Sequence, residues 1–162
     1  MRSIPSLSVR VPHWVRDTST RGSEPDMNLR WLCPECGEDT IIARQGIELP
    51  PDLESDEILL RPISCSACGF VGAAFLEESR RGSMGTDDCS RHLGYPLTER
   101  VFSLLQEAIA ACPDALNPGC ECPSHCHLAG NQHCDSRHWL KVNGIDTTRQ
   151  FSLRKAMPTR PD

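Results

Sequence analysis

A chain of 162 residues with 38% hydrophobic and 5% aromatic content, interrupted by 13 prolines and 11 glycines, is expected to fold around a small centre with poorly packed ends. Its net charge of −5 is uneven: residues 31–136 carry six basic against 17 acidic groups, which sets this middle part against binding a phosphate backbone in bulk. Ten cysteines would mean a disulfide framework in a secreted chain, but Arg2, Pro5, Arg10, Pro12, Arg16 and Asp17 break up any apolar signal core, and no later stretch has the length of a membrane span. A reducing cytoplasm, with metal holding the cysteines, is therefore the expectation.

Residues 1–28 alternate Ser, Pro, Arg and Asp with isolated apolar groups and read as a flexible N-terminal arm. Leu29 to Leu32 leads in as a short strand, with Trp31 placed to cover the cysteine turn after it. That turn is Cys33-Pro34-Glu35-Cys36-Gly37, matched by Cys65-Ser66-Ala67-Cys68-Gly69, with 28 residues between the two cysteine pairs. Each Cys-x-x-Cys turn sets two thiolates on one side of a knuckle, and two facing turns complete a tetrahedral sulfur cage for zinc. Gly37 and Gly69 stand where the chain must turn tightly to bring backbone amides toward sulfur. An iron centre or a redox thiol pair is the alternative use of the same residues.

Between the knuckles, Thr40 to Arg44 reads as a β-strand from its branched residues. Glu48 to Glu57 reads as an acidic loop without the glycine and ligand order of a calcium site. Ile58 to Ile63 returns as a strand into the second knuckle, and Phe70 to Leu76 leaves it. Pro62 has no amide to donate, so its strand should be an edge or be bulged there. This order of knuckles and strands over residues 29–76 resembles the zinc-ribbon family. The resemblance implies zinc ligation by Cys33, Cys36, Cys65 and Cys68, and frequent use in protein or nucleic-acid contacts, but no specific job. The expected fold is small α+β: a four-cysteine zinc ribbon over 29–82 with short antiparallel strands, one packing helix, and a cysteine- and histidine-rich C-terminal segment.

Arg80 and Arg81 follow the last strand and offer donor forks to a carboxylate or phosphate. Cys89 and His92 have ligand-like spacing, and also that of a nucleophile and base without a third orienting group. Leu97 to Ala111 is the clear helix: Thr98 caps it, Val101, Leu104, Leu105, Ala108, Ile109 and Cys112 share a face, and Pro113 stops it. Residues 83–142 thus combine this helix with a second metal-binding segment.

In that segment Cys112, Cys120, Cys122, Cys126 and Cys134 are interleaved with His125, His127 and His133. The first four ligands chosen are Cys112, Cys120, Cys122 and Cys126, with His127, His133 and Cys134 as substitutes and Cys89 and His92 able to complete the site. A second zinc, an iron–sulfur cluster, disulfides and exchangeable thiols all remain open. Trp139 to Val142 reads as a short strand or a peptide anchor, and residues 143–162 as a flexible tail with a docking point at Phe151 to Lys155.

The function expected from this pattern is a zinc-stabilised protein-interaction or assembly module, an accessory subunit with one zinc and room for a second. Arg80, Arg81, Trp31 and Trp139 are the candidate contacts. One alternative is RNA or DNA binding, if those same residues converge on a basic aromatic face. The other is a zinc-dependent hydrolase, needing an open coordination position and a base such as His92, His125, His127 or Glu121. No small-molecule substrate is indicated.

Overall fold

The computed structural model describes residues 31–79, 89–130 and 136–155. In chain order the elements are β1 (Ile41–Ala43), β2 (Ile47–Leu49), β3 (Glu57–Cys65), β4 (Val71–Ser79), β5 (Cys89–Pro96), α1 (Glu99–Ala110), α2 (Pro123–Ala129), α3 (His138–Val142), a 3-10 turn (Thr147–Arg149) and β6 (Phe151–Ser152). The strands form one antiparallel sheet in the order β1-β3-β4-β5-β6, with β2 beside β1 along the same edge of β3.

β1 and β2 are two halves of one strand, broken opposite Pro62. The Arg44 N–H donates to the Pro62 carbonyl at 2.8 Å, so the Pro62 nitrogen faces the same side, onto the break, where no donor is missed. Pro62 thereby sits inside a central strand. Gly46 fills the break because a Cβ there would stand 2.8 Å from the Leu60 carbonyl oxygen.

Period-two alternation gives the sheet two apolar faces. Ile58 and Leu60 of β3, Ala73 and Phe75 of β4, and Tyr95 of β5 face one way, under Leu105, Ile109, Leu128, Trp139 and Leu140 of the helices. Ile63 and Cys65 of β3 and Ala74 of β4 face the other way, toward Trp31, Cys33, Ile41 and Leu153. Single bridges from Trp31 to Ile41 of β1 and to Lys155, just past β6, bring the two edges of the sheet to one residue, so the open sheet curls around this second cluster.

Among the described residues the sheet is open and six-stranded, not a closed ribbon, and three helices, not one, cover it. β5 pairs with β4 over eight residues, from Gly72 opposite Pro96 to Ser79 opposite Cys89. Trp139 to Val142 is helical, as α3, rather than extended. The tail expected from residue 143 onward contributes β6, buries Leu153 and supplies the Lys155 bridge. In α1 the Thr98 hydroxyl accepts from the Val101 amide, and the buried stripe is Phe102, Leu105 and Ile109. Leu104, expected on that stripe, is 44% exposed. Among the described residues no helix is long and apolar enough to cross a membrane.

Candidate metal centres

The two Cys-x-x-Cys turns fold alike. The Cys33 N–H donates to the Glu38 carbonyl and the Gly37 N–H to the Cys33 carbonyl; the Cys65 N–H donates to the Phe70 carbonyl and the Gly69 N–H to the Cys65 carbonyl, at 2.7–3.1 Å. Gly37 and Gly69 have φ of 78° and 77°, a left-handed conformation that costs glycine nothing. The shared Cys-Gly spacing therefore produces one loop twice. Placed at the ends of β1 and β3, which pair Ile41 with Cys65, the two loops face each other.

Their four sulfurs lie within 4.8 Å of one another. Cys33 Sγ is 3.6 Å from Cys68 Sγ, and Cys36 Sγ is 3.7 Å from Cys65 Sγ. A tetrahedral zinc with bonds of about 2.3 Å separates its sulfurs by about 3.8 Å, whereas a disulfide needs about 2.05 Å. The eight cysteines with described side chains are all free thiols. Cys33 and Cys65 are buried in the second apolar cluster beneath Trp31, while Cys36 and Cys68 are exposed.

The electrostatics also call for a cation. At Cys65 burial works against ionisation, but the Thr40 hydroxyl, 3.0 Å away, and the Cys68 and Ala67 amides outweigh it and bring the thiol down to about 6. At Cys68 the Phe70 amide favours the thiolate, yet partial desolvation of the sulfur within the cluster and the neighbouring Cys65, Cys33 and Cys36 push it up to about 12. Cys36 is likewise raised, the Glu38 amide and Cys68 being overcome by partial desolvation of the sulfur and by Cys33 and Cys65. Four thiols this close cannot all ionise without positive charge among them. The amides of Glu38 and Phe70 stand two residues after Cys36 and Cys68, the same hydrogen-bonded support in both loops.

A second cluster lies in the helix layer. Cys112 just beyond α1, Cys120 in the following turn, and His125 in the first turn of α2 bring their ligand atoms within 4.8 Å of one another. Cys112 Sγ is 3.7 Å from Cys120 Sγ and 3.6 Å from His125 Nδ1. Cys122, the residue that caps α2, accepts the His125 N–H at 3.3 Å and interacts with both Cys112 and Cys120. Burial raises the Cys112 thiol to about 11, the Asp114 amide only partly opposing it. The two clusters are thus geometrically compatible with one or two zinc ions.

The sequence choice of Cys126 as fourth ligand meets α2: Cys126 is one residue and about 100° round the helix from His125 and is exposed. His127 is also exposed. His125, not among the ligands chosen from spacing, takes the inward position; Pro123 at the start of α2 was the available signal for a helix there. His92 lies on the opposite face of the sheet, its ring centroid 6.3 Å from that of Trp31, and burial and Lys155 lower its pKa. Trp31 and Trp139 are each 1% exposed and belong to the two cores, not to a contact surface. Cys89 opens β5, but its side chain, like Arg80, Arg81, His133 and Cys134, lies outside the described residues.

No family model, curated protein or solved structure matches this chain.

Proposed function

We propose that Cys33, Cys36, Cys65 and Cys68 hold one structural zinc in a zinc-ribbon-like arrangement, and that the domain it fixes is a protein-interaction or assembly module, an accessory subunit rather than an enzyme. The observation that carries this reading is the closed ligand set. Four sulfurs at tetrahedral spacing, two of them buried, leave no coordination position for a reacting water. A structural zinc site contributes on the order of 10 kcal/mol, comparable to the whole net stability of a small domain. That contribution suits a chain whose core is split between two sheet faces.

The surroundings weigh against hydrolysis. A cavity of about 470 Å³ reaches the first knuckle, but Leu32, Pro34, Gly37, Phe151, Ser152 and Arg154 bring no carboxylate or imidazole to it. The cavity of about 440 Å³ between Asp52, Arg91, Tyr95, Arg137 and Gln150 contains no cysteine. Glu121 and His127, the bases considered near the second cluster, are exposed. Nucleic-acid binding is disfavoured by the acidic middle of the chain and by the engagement of Arg91 with Glu77 and Glu54 and of Arg137 with Glu77.

Affinity capture with the full chain, with and without nuclease, separates the readings. A partner of defined stoichiometry should survive nuclease and be lost with Cys33→Ser/Cys36→Ser. Capture that disappears with nuclease would overturn the assembly role in favour of nucleic acid.

A further inference from the structure

The turn from Cys112 to Cys122 carries one buried apolar residue besides Cys112, namely Ala115, yet it joins the end of α1 to the start of α2 and is held to the sheet by the Glu48 N–H on the Ala115 carbonyl at 2.7 Å. Local hydrogen bonds among Asp114, Asn117, Gly119 and Cys120 shape the turn, but they do not tie it to α2. Its inward side chains are those that bind zinc. With bonds of about 2.3 Å to sulfur and about 2.05 Å to nitrogen, a tetrahedral ion separates two sulfurs by about 3.8 Å and a sulfur from a nitrogen by about 3.6 Å. The corresponding distances here are 3.7 Å for Cys112 to Cys120 and 3.6 Å for Cys112 to His125 Nδ1.

We propose a second zinc site with three cysteines and one histidine, in which Cys112, Cys120 and Cys122 are the sulfur ligands and His125 is bound through Nδ1. The His125 ring gives an observation independent of the sulfur spacing. It is 1% exposed; Nε2 is buried and makes no well-formed hydrogen bond, the Glu48 carbonyl only approaching the ring, and Nδ1 lies 3.6 Å from the Cys112 sulfur. A buried imidazole with neither nitrogen well satisfied is costly, and a metal bond at Nδ1 removes part of that cost. It also fixes the proton on Nε2, on a ring that the Glu48 backbone carbonyl approaches. Cys122 is the fourth ligand: its Sγ accepts the His125 amide, the support a thiolate ligand receives, and a rotation of its side chain brings that sulfur to the three ligand atoms that already lie within 4.8 Å of one another. The zinc pins the two helices to each other and, through Glu48 and Ala115, to β2. This site stands independently of the assembly role, which rests on the first cluster.

The test is zinc analysis and zinc-edge X-ray absorption on the full chain produced without added metal. Two zincs per chain are expected, averaging about 3.5 sulfur and about 0.5 nitrogen neighbours, the mean of an all-sulfur site and a site with three sulfurs and one nitrogen. His125→Cys should keep two zincs and move the average to sulfur alone, Cys126→Ser should change neither number, and Cys122→Ser should lower zinc toward one per chain. Because a variant can unfold the helix layer, nitrogen-15 NMR on the unaltered protein provides the second reading: Nδ1 of His125 metal-bound and Nε2 protonated. One zinc per chain in the unaltered protein, two zincs with sulfur alone, or His125 in the opposite tautomer would overturn the site.

Discussion

Glu77 is 1% exposed on the helix-covered face of β4, held by Arg91 Nε at 2.8 Å and by Arg137. Arg137 in turn lies over the Phe75 ring at 4.6 Å and donates to the Tyr95 hydroxyl, so one carboxylate organises the end of the sheet farthest along β4 from the knuckles. Glu77→Ala should destabilise by about 3–5 kcal/mol, because it removes the buried carboxylate that the largely buried Arg137 pairs with. Arg91→Ala should cost about 1 kcal/mol or less, since that side chain is half exposed. Denaturant unfolding of both variants checks the contrast, and equal losses would contradict it. Residue-level legibility followed sequence distance. The Cys-x-x-Cys-Gly units were readable because each folds its own loop from five consecutive residues. His125 was not, because its selection over Cys126 depends on which face α2 turns inward, and the partners that decide this, Leu128 against the sheet and Cys112 beyond α1, are brought together only by tertiary packing.

Among the elements, α1 was legible nearly to its ends, since a 3.6-residue stripe, a Thr98 cap and Pro113 are all local signals. The stripe itself shifted: Phe102 is buried and Leu104 is not, as the helix rolls to set Leu105 and Ile109 over the core that holds Phe75 and Leu60. Leu105→Ala should therefore cost about 2–5 kcal/mol, while Leu104→Ala should stay within about 0.5 kcal/mol. A thermal melt of each variant reads the difference, and comparable losses would place the stripe wrongly. β5 was not legible. Cys89-Ser90-Arg91-His92-Leu93-Gly94-Tyr95-Pro96 has weak strand propensity, and it is extended because eight registered pairs with β4 override that propensity. Gly94 in its middle is required by the Phe151 ring of β6, which stands 2.2 Å from where a Cβ would be. α3 reads as extended in sequence because five residues carry too little periodicity to mark a helix; its form follows from burying Trp139 and Leu140 together.

At the scale of the whole molecule, each candidate metal cluster belongs to one face of the sheet. Cys33 and Cys65 are part of the cluster enclosed by the sheet's curl, and Cys112 is part of the cluster under the helices. That division explains why a chain with few aromatics supports two cores, each too small to stand alone. Only half of it is legible in the sequence. The strands between the knuckles signal a ribbon locally, while β5 and β6 extend it by pairing Leu93 with Ser152, and the curl depends on Trp31 meeting Lys155, residues far apart in sequence. Metal and fold should consequently be lost together. The most direct measurement is zinc content by mass spectrometry during stepwise chelation of the full chain, followed alongside by circular dichroism. The expected result is that removal of zinc abolishes the β-sheet signal and cooperative unfolding, and that Cys33→Ser/Cys36→Ser reproduces this without chelator. Zinc-free protein that keeps its sheet and melts cooperatively at an unchanged temperature would contradict it.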